Sequence, residues 1–275
     1  MERIALFNYE SFTSSEAILS FIETFHEQLV LVVASQRYGG KNGSFFKQVL
    51  ENYRRSGFRY LMYLGYNFVW YFWAVHFFHF IALLRKKPSK FLTVKEQCKK
   101  YKIPYIKSAD VNSLPMTERL RQANLDYIIT YYFDQILKLP TIQLPKKGVL
   151  NVHEAYLPEC RGVFPEFCTA LKGQGEFGIT VHEIVDASID TGPILAQKHV
   201  EVPPDKSILL VGKIINKDGV DLVSEVIKHF DIYRRTKLPQ HQGSYYSFPT
   251  REDIQAAHTK GIRLCSFREF VSEFV

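Results

Sequence analysis

Gly148-Val149-Leu150-Asn151-Val152-His153 has the make-up of a short buried strand that runs out into a loop at Glu154. Side chains alternate across a strand, so Asn151 and His153 share one face while Val152 packs behind them. Residues 3–7, 29–34, 103–106 and 126–131 are similar short apolar runs, and 177–184 alternates like one further strand. Between the runs, 14–25, 93–101 and 116–122 carry apolar residues at helical spacing, with Ser14 or Ser15 as the expected cap of the first helix. Residues 207–230 read as a long helix packed on the sheet. Continuous apolar strands separated by helices predict an α/β protein with a doubly wound, mostly parallel sheet covered on both faces. Ligands of such sheets sit beyond the carboxyl ends of the strands, where this reading puts Asn151 and His153.

Asp190, in Ile189-Asp190-Thr191-Gly192-Pro193, lies in a turn-rich segment (186–193) that can return a carboxylate to those two side chains. An amide NH2 and a protonated imidazole are both donors and together can hold a carbonyl oxygen as it becomes an oxyanion. A carboxylate beside the imidazole orients it, raises its pKa and can take a proton from an attacking amine. No Ser or Cys stands at a Gly-x-Ser-x-Gly elbow, so direct acyl transfer between two bound substrates fits better than a covalent acyl-enzyme.

The wider pattern resembles the folate-dependent formyltransferases. It comprises Asn151-x-His153, Leu157-Pro158-x-x-Arg161-Gly162, then Gly178-Ile179-Thr180-Val181-His182 and Asp190-x-Gly192-x-Ile194-Leu195, in that order. The resemblance covers residues 1–36 and 93–250 and implies a Rossmann-like formyltransferase fold. By it, Asn151, His153 and Asp190 match the catalytic trio, and His182 a second histidine near the site. Phe133, Gln135, Ile136 and Leu137, with Val185, Asp186 and Ile189, match loops that enclose the pterin of 10-formyltetrahydrofolate. Tyr156, Arg161, Gly162 and His182 fall on the acceptor side. Two departures stand out: Glu154-Ala155-Tyr156 where the family has Pro-Ser or Ala-Ser, and Asp134 where it has Gly. The first leaves acceptor identity open.

The resemblance implies formyl transfer from 10-formyltetrahydrofolate, without a metal, to a small-molecule primary amine. The expected acceptor is an amino sugar, nucleotide- or lipid-linked. About 45 residues follow Phe230, too few for the barrel that follows this domain in methionyl-tRNA formyltransferases. Methionyl-tRNA transfer, hydrolysis of the donor by water, and a silent member acting as an interaction platform stay as alternatives. The expected organisation is a catalytic domain over 1–230, with a hydrophobic helical insert at about 42–92, and a short extension over 231–275.

The 275 residues carry 35 Lys and Arg against 28 Asp and Glu, a net charge of +7, but the basic residues are scattered, so no nucleic-acid partner is expected. The group Lys99-Lys100-Tyr101-Lys102 reads as a solvated helix end. Cys98, Cys160, Cys168 and Cys265 show no ligand spacing, which argues against zinc and disulfides and for a reducing cytoplasm. Met1-Glu2-Arg3-Ile4 runs straight into a strand, so no signal peptide is expected.

One segment stands outside this plan. Residues 60–84, from Tyr60 through Trp70 and Trp73 to Leu84, are 25 residues without a formal charge. They meet the length of a membrane span, yet a single crossing would separate strands of one sheet. Three readings stay open: a helical pair bent at Gly65-Tyr66-Asn67 and buried against the body or a second copy of the chain; a peripheral helix at the inner face of a membrane; or a roof over the acceptor pocket. His76 and His79, three residues apart, have no third metal ligand nearby.

Overall fold

The computed structural model describes residues 1–36, 44–173 and 176–275, so the first two residues of the expected insert lie outside the described residues. Short apolar runs become the parallel strands of a sheet, β1 (Ile4–Asn8), β2 (Leu29–Ser35), β4 (Tyr127–Tyr131) and β5 (Gly148–His153) inside it and β3 (Tyr105–Ser108), with Lys107 exposed, at its edge. The short β6 (Arg161–Gly162) stands apart. β7 (Gly178–Ile184) and β8 (Ile194–His199) complete a seven-stranded sheet of order β3-β2-β1-β4-β5-β7-β8. Pairing is parallel from β3 through β5 and antiparallel for β5–β7 and β7–β8. The sheet is therefore mostly parallel, as the sequence pattern predicts, and its parallel strands all end where Asn151 and His153 stand.

Helices cover both faces. α1 (Ser15–Phe25) precedes β2, and α2 (Phe45–Leu64) and α3 (Tyr71–Leu84) follow it; α4 (Val94–Lys100) precedes β3. Then come α5 (Leu114–Gln122), the single turn α6 (Leu139–Ile142), α7 (Pro165–Lys172) and the long α8 (Ile208–Lys228). The chain closes with α9 (Phe230–Thr236), a ninth strand β9 (Tyr245–Tyr246), α10 (Arg251–Thr259) and α11 (Phe267–Ser272). Ile18, Ile22, Cys98, Ile215 and Val223 bury one face of the sheet, and Met116, Leu120 and Ile142 the other. Ser14 does occupy the first cap, but its hydroxyl donates to the Tyr9 carbonyl at 2.9 Å and leaves the helix N–H groups alone.

The insert departs from the expected bent pair. The helix runs on through Gly65–Trp70 as a π-helical turn, and the one non-helical residue inside it is Gly57, before the apolar run. A π turn shifts the carbonyl ladder and frees groups for other partners. Here the Asn67 carbonyl accepts the Phe12 N–H at 2.8 Å, its side-chain oxygen accepts the Thr13 N–H at 3.1 Å, and its NH2 donates to Tyr132 Oη at 3.0 Å. Tyr60, Tyr63, Tyr66 and Val75 are buried, packing with Phe12 of the body and with Phe270 and Phe274 of the C-terminal residues. Asn67→Leu should cost about 2 kcal/mol, because it strands buried polar partners; chemical denaturation measures it, and an unchanged midpoint counts against this anchor.

Phe45–Leu84 is long and apolar enough to cross a membrane by length and composition, and little of it is buried. Because β2 and β3 are neighbours, with Val32 opposite Tyr105 and Ser35 opposite Ser108, the segment leaves and rejoins one edge of one sheet. A single crossing is thereby excluded.

Candidate active site

Register brings Thr130 of β4, Asn151 of β5 and His182 of β7 side by side. Thr130 Oγ1 donates to Asn151 Oδ1 at 2.6 Å, which orients the amide so that its NH2 faces His182 Nε2 at 3.0 Å and Asp190 Oδ1 at 3.2 Å. His182 Nδ1 lies 3.1 Å from the Glu183 carbonyl, so that nitrogen carries the proton. Its Nε2 then accepts from Asn151 when the ring is neutral, and can donate to Asp190 Oδ1, 3.4 Å away, when it is protonated.

Asp190 reaches this point on a tight turn with φ 52°. A Cβ at Gly192 would stand 1.8 Å from the Glu183 carbonyl oxygen, so only glycine lets the turn press onto β7. Asp190 Oδ2 accepts the Gly162 N–H at 2.9 Å and lies 3.6 Å from His153 Nδ1. His153 Nε2 donates to the Cys160 carbonyl at 3.0 Å, which leaves Nδ1 to carry a second proton toward Asp190. Cys160 is itself joined to Cys168 by a disulfide, Cα atoms 5.9 Å apart. That corrects the expectation of unpaired cysteines: the loop folds back on α7 and pairs residues whose spacing fits no common pattern.

Burial works against the Asp190 charge, but His153, His182 and the Gly162 N–H outweigh it and hold the carboxyl well below the usual carboxylate range. For His153 burial wins. It pushes the imidazole below its ordinary value even though Asp190 pulls the other way. The sequence expectation of a raised His153 pKa is corrected on that ground: desolvation of a nearly enclosed ring exceeds one carboxylate at 3.6 Å. The resulting group holds two donors and one anionic acceptor close together, the arrangement that stabilises a developing oxyanion and receives a proton.

These groups border a cavity of about 450 Å³, within the usual range for small-molecule sites. Of the residues expected around the donor, Phe133, Gln135, Ile136, Leu137, Asp186 and Ile189 line it. The Gln135 side chain braces its loop, donating to Ser35 Oγ and the Ser108 carbonyl and accepting the Val111 N–H. Val185 is not among the lining residues; 49% exposed, it directly follows β7 and alternates away from Ile184 and Asp186. On the expected acceptor side Gly162 lines the cavity, and His182 backs Asn151. Arg161 instead grips Gln240 Oε1 at 2.8 Å and the His241 carbonyl at 2.9 Å. Tyr156 is turned away onto β8, its ring stacked on His199 with centroids 4.1 Å apart. Thr180 Oγ1 sets that course by accepting the Leu157 N–H and donating to the Ala155 carbonyl.

The chain also brings residues to the cavity that sequence reasoning missed. Tyr60, Tyr63 and Phe68 of the insert form part of its wall, and Glu154 and Glu166 line it too. Glu154 had a signal, since it is charged between Val152 and Ala155; Glu166, behind Pro165, had none. Burial raises the Glu154 carboxyl to about 8, with Glu166 adding to the effect, and burial raises Glu166 to about 7. Folded-state values above the ordinary 4.5 mean that the folded protein keeps protons which the unfolded chain releases. Their stabilising contribution is complete below pH 4.5 and is lost as pH rises through 7 to 8. The melting temperature should fall by several degrees across that window, and Glu154→Gln should flatten the decline. A flat wild-type profile would contradict the burial argument.

A family model described as "Formyl transferase" matches residues 82–227, slightly more than half of the chain. Methionyl-tRNA formyltransferase of Kosmotoga olearia is 32% identical over 162 residues, 58% of this chain and 52% of that protein. The Elusimicrobium minutum enzyme of the same name is 35% identical over 122 residues, 44% of this chain and 36% of that one. The chain thus spans about half, or less, of the curated relatives it matches. Among solved structures, an N-formyltransferase from Helicobacter canadensis in complex with folinic acid and dTDP-3-aminofucose superposes with TM-score 0.57 at 17% identity, covering 98% of this chain and 82% of that one. Glycinamide ribonucleotide transformylase 1 from Symbiobacterium toebii gives 0.56 at 15% identity, covering 88% and 92%. At such identities the likeness is one of fold.

Proposed function

The chain belongs to the formyl transferase family, and from that premise we propose that it moves a formyl group from 10-formyltetrahydrofolate to a primary amine. The observation that carries the reading is the convergence of Asn151, His153 and Asp190 on one cavity whose other flank is the pair of loops at 133–137 and 186–189. Leu137 and Ile184, with Ile189 at the rim, offer apolar walls to a flat heterocycle, and the loop backbone lies outside the sheet, so its amides can meet the ring's polar edge. The donor supplies an activated formyl carbon. Asn151 Nδ2 holds the formyl oxygen, and His153, protonated at Nδ1, stabilises the charge that gathers there. Asp190 keeps both donors aimed and takes a proton from the amine, directly or through water. Packed aromatic residues limit the water that could compete as acceptor.

The acceptor is an amino sugar in this reading; support comes from the Helicobacter canadensis enzyme, solved with an amino-sugar nucleotide. Incubation with 10-formyltetrahydrofolate and a panel of amino-sugar nucleotides, lipid-linked amino sugars and methionyl-tRNA, read as mass gain of one formyl group, tests it. Formylation of methionyl-tRNA alone would overturn the sugar assignment, and formate release without any formylated amine would overturn transfer.

We further infer that the insert rests on an anionic membrane surface. Trp73, Phe77, Phe80 and Leu84 recur at helical spacing on the exposed side of α3, each more than half exposed. Arg54 and Arg59 precede the apolar run, and Arg85, Lys86 and Lys87 follow it. Such a helix lies in the interface with its basic residues at the headgroups. Sedimentation with phosphatidylglycerol vesicles but not with phosphatidylcholine vesicles is the expected result, weakened by Trp73→Glu with Phe77→Glu. Equal recovery in the supernatant with both vesicles would remove the inference.

A further inference from the structure

Among the described residues that line the cavity there is no Lys or Arg, although the chain as a whole is basic. Five acids face it instead: Asp134, Glu154, Glu166, Asp186 and Asp190. Asp190 is committed to the catalytic trio, and Asp186 caps its own turn by accepting the Ser188 N–H at 2.7 Å. Glu154 and Glu166 are different. Both are buried, 7% and 2% exposed, and Glu166 meets Tyr63 of the insert. Among the described residues Glu154 Oε1 meets no hydrogen-bond partner, although the Asn216 side chain lies close to its carboxyl, and Glu166 Oε1 accepts a long bond from Tyr63 Oη at 3.4 Å. Tyr63 and Phe164, rings 4.5 Å apart, line the same cavity, Tyr63 directly against Glu166.

An unpartnered carboxyl oxygen in an enclosed site is a standing cost unless a ligand donor completes it. Two neighbouring carboxyls with no fixed cation beside them can release a proton to meet a cation but have no charge to offer an anion, and the aromatic faces beside them favour a cation too. We propose that Glu154 and Glu166 form a cation subsite that receives the ammonium end of an amine, so that the acceptor enters this cavity with its amine first and any phosphate it carries stays outside. This rests on the transfer reading above for its purpose, though not for its test.

Glu154 and Glu166 line the same cavity as Asn151, His153 and Asp190, so an amine held by the pair shares that space with the groups that act on the formyl carbon. It explains the departure at Glu154-Ala155-Tyr156: the sequence changes where the acceptor amine must be met. Because both carboxyls hold protons near neutral pH, arrival of an ammonium should displace one to solvent. The amine keeps its own proton at that stage and must lose it before attack, to Glu154 or to Asp190.

Calorimetric titration of the full chain with benzylammonium, benzyl alcohol and benzyl phosphate decides the matter. Benzylammonium should bind at least about tenfold more tightly than the alcohol, the scale of one charge-assisted hydrogen bond. Its enthalpy should change with buffer identity near neutral pH, as proton release requires. Glu154→Gln combined with Glu166→Gln should erase the margin and leave benzyl alcohol unchanged. Absence of saturable benzylammonium binding, equal affinity for the amine and the alcohol, or tighter binding of the phosphate would overturn the subsite. None of these measurements needs formyl transfer, so failure to find a formylated amine would count against the proposed reaction and not against the subsite.

Discussion

His153→Ala should lower formyl transfer by roughly a thousandfold while donor affinity stays within about threefold. The asymmetry follows from where the ring stands. His153 lies at the carboxyl end of β5 beside Asp190, whereas the donor loops at 133–137 and 186–189 hold their shape through Gln135 and Asp186. Alanine removes the imidazolium whose positive charge stands beside the reacting oxygen. It leaves Asn151 still oriented by Thr130, so a residual rate persists. Single-turnover transfer to the best amine, alongside fluorescence titration of the donor, separates the two effects. A variant with wild-type turnover would remove His153 from the mechanism. The lowered imidazole pKa adds a second signature: wild-type activity should decline as pH rises and the ring loses its proton.

Asp190→Asn should be as damaging, with a loss on the order of a thousandfold or more, by analogy with the carboxylate that orients a catalytic histidine elsewhere. The carboxylate accepts from Asn151 and from the Gly162 N–H, and stands 3.6 Å from His153 Nδ1, within ion-pair reach. An amide can satisfy only part of that set, since one of its ends must present NH2 groups to a donor. The negative charge that supports a protonated His153 also disappears, so burial pulls that imidazole lower still. The pH dependence of kcat/KM reads this directly: its descending limb should move to lower pH in the variant. Unchanged kcat/KM and an unmoved limb would show that the carboxylate does neither job.

Six of the sheet's seven strands were legible as short runs whose ends fall within a residue or two of the observed ones, β1 and β7 among them; β8, polar in its second half, was not. The trio was legible for a related reason: Asn151 and His153 share a face by strand alternation, and Asp190 sits in a turn that only Gly192 permits. What escaped depends on distant parts of the chain meeting. Nothing local marks Glu166 as a neighbour of Glu154, or Asn67 as the anchor for Phe12 and Thr13. Arg161 looked like a substrate ligand because its partner Gln240 lies 79 residues on. Tyr156 was sent elsewhere by Thr180, and the Cys160–Cys168 pairing came from a loop fold that spacing does not encode. The His153 pKa was misjudged for want of burial, which one sequence does not supply.

The pairing of β6 with β9 sets Arg161 opposite Tyr245 and Gly162 opposite Tyr246, and Gln240 Nε2 donates to the Asp190 carbonyl. A Cβ at Gly162 would fall 2.2 Å from the Tyr246 carbonyl oxygen, so the two segments lie in direct contact. The boundary drawn near residue 230 therefore separates two lengths of chain that together hold the turn carrying Asp190. Anyone seeking a minimal enzyme by trimming back to that boundary should find a fragment that keeps its sheet and loses its turnover, because the last stretch of chain is scaffolding for the first step of the chemistry.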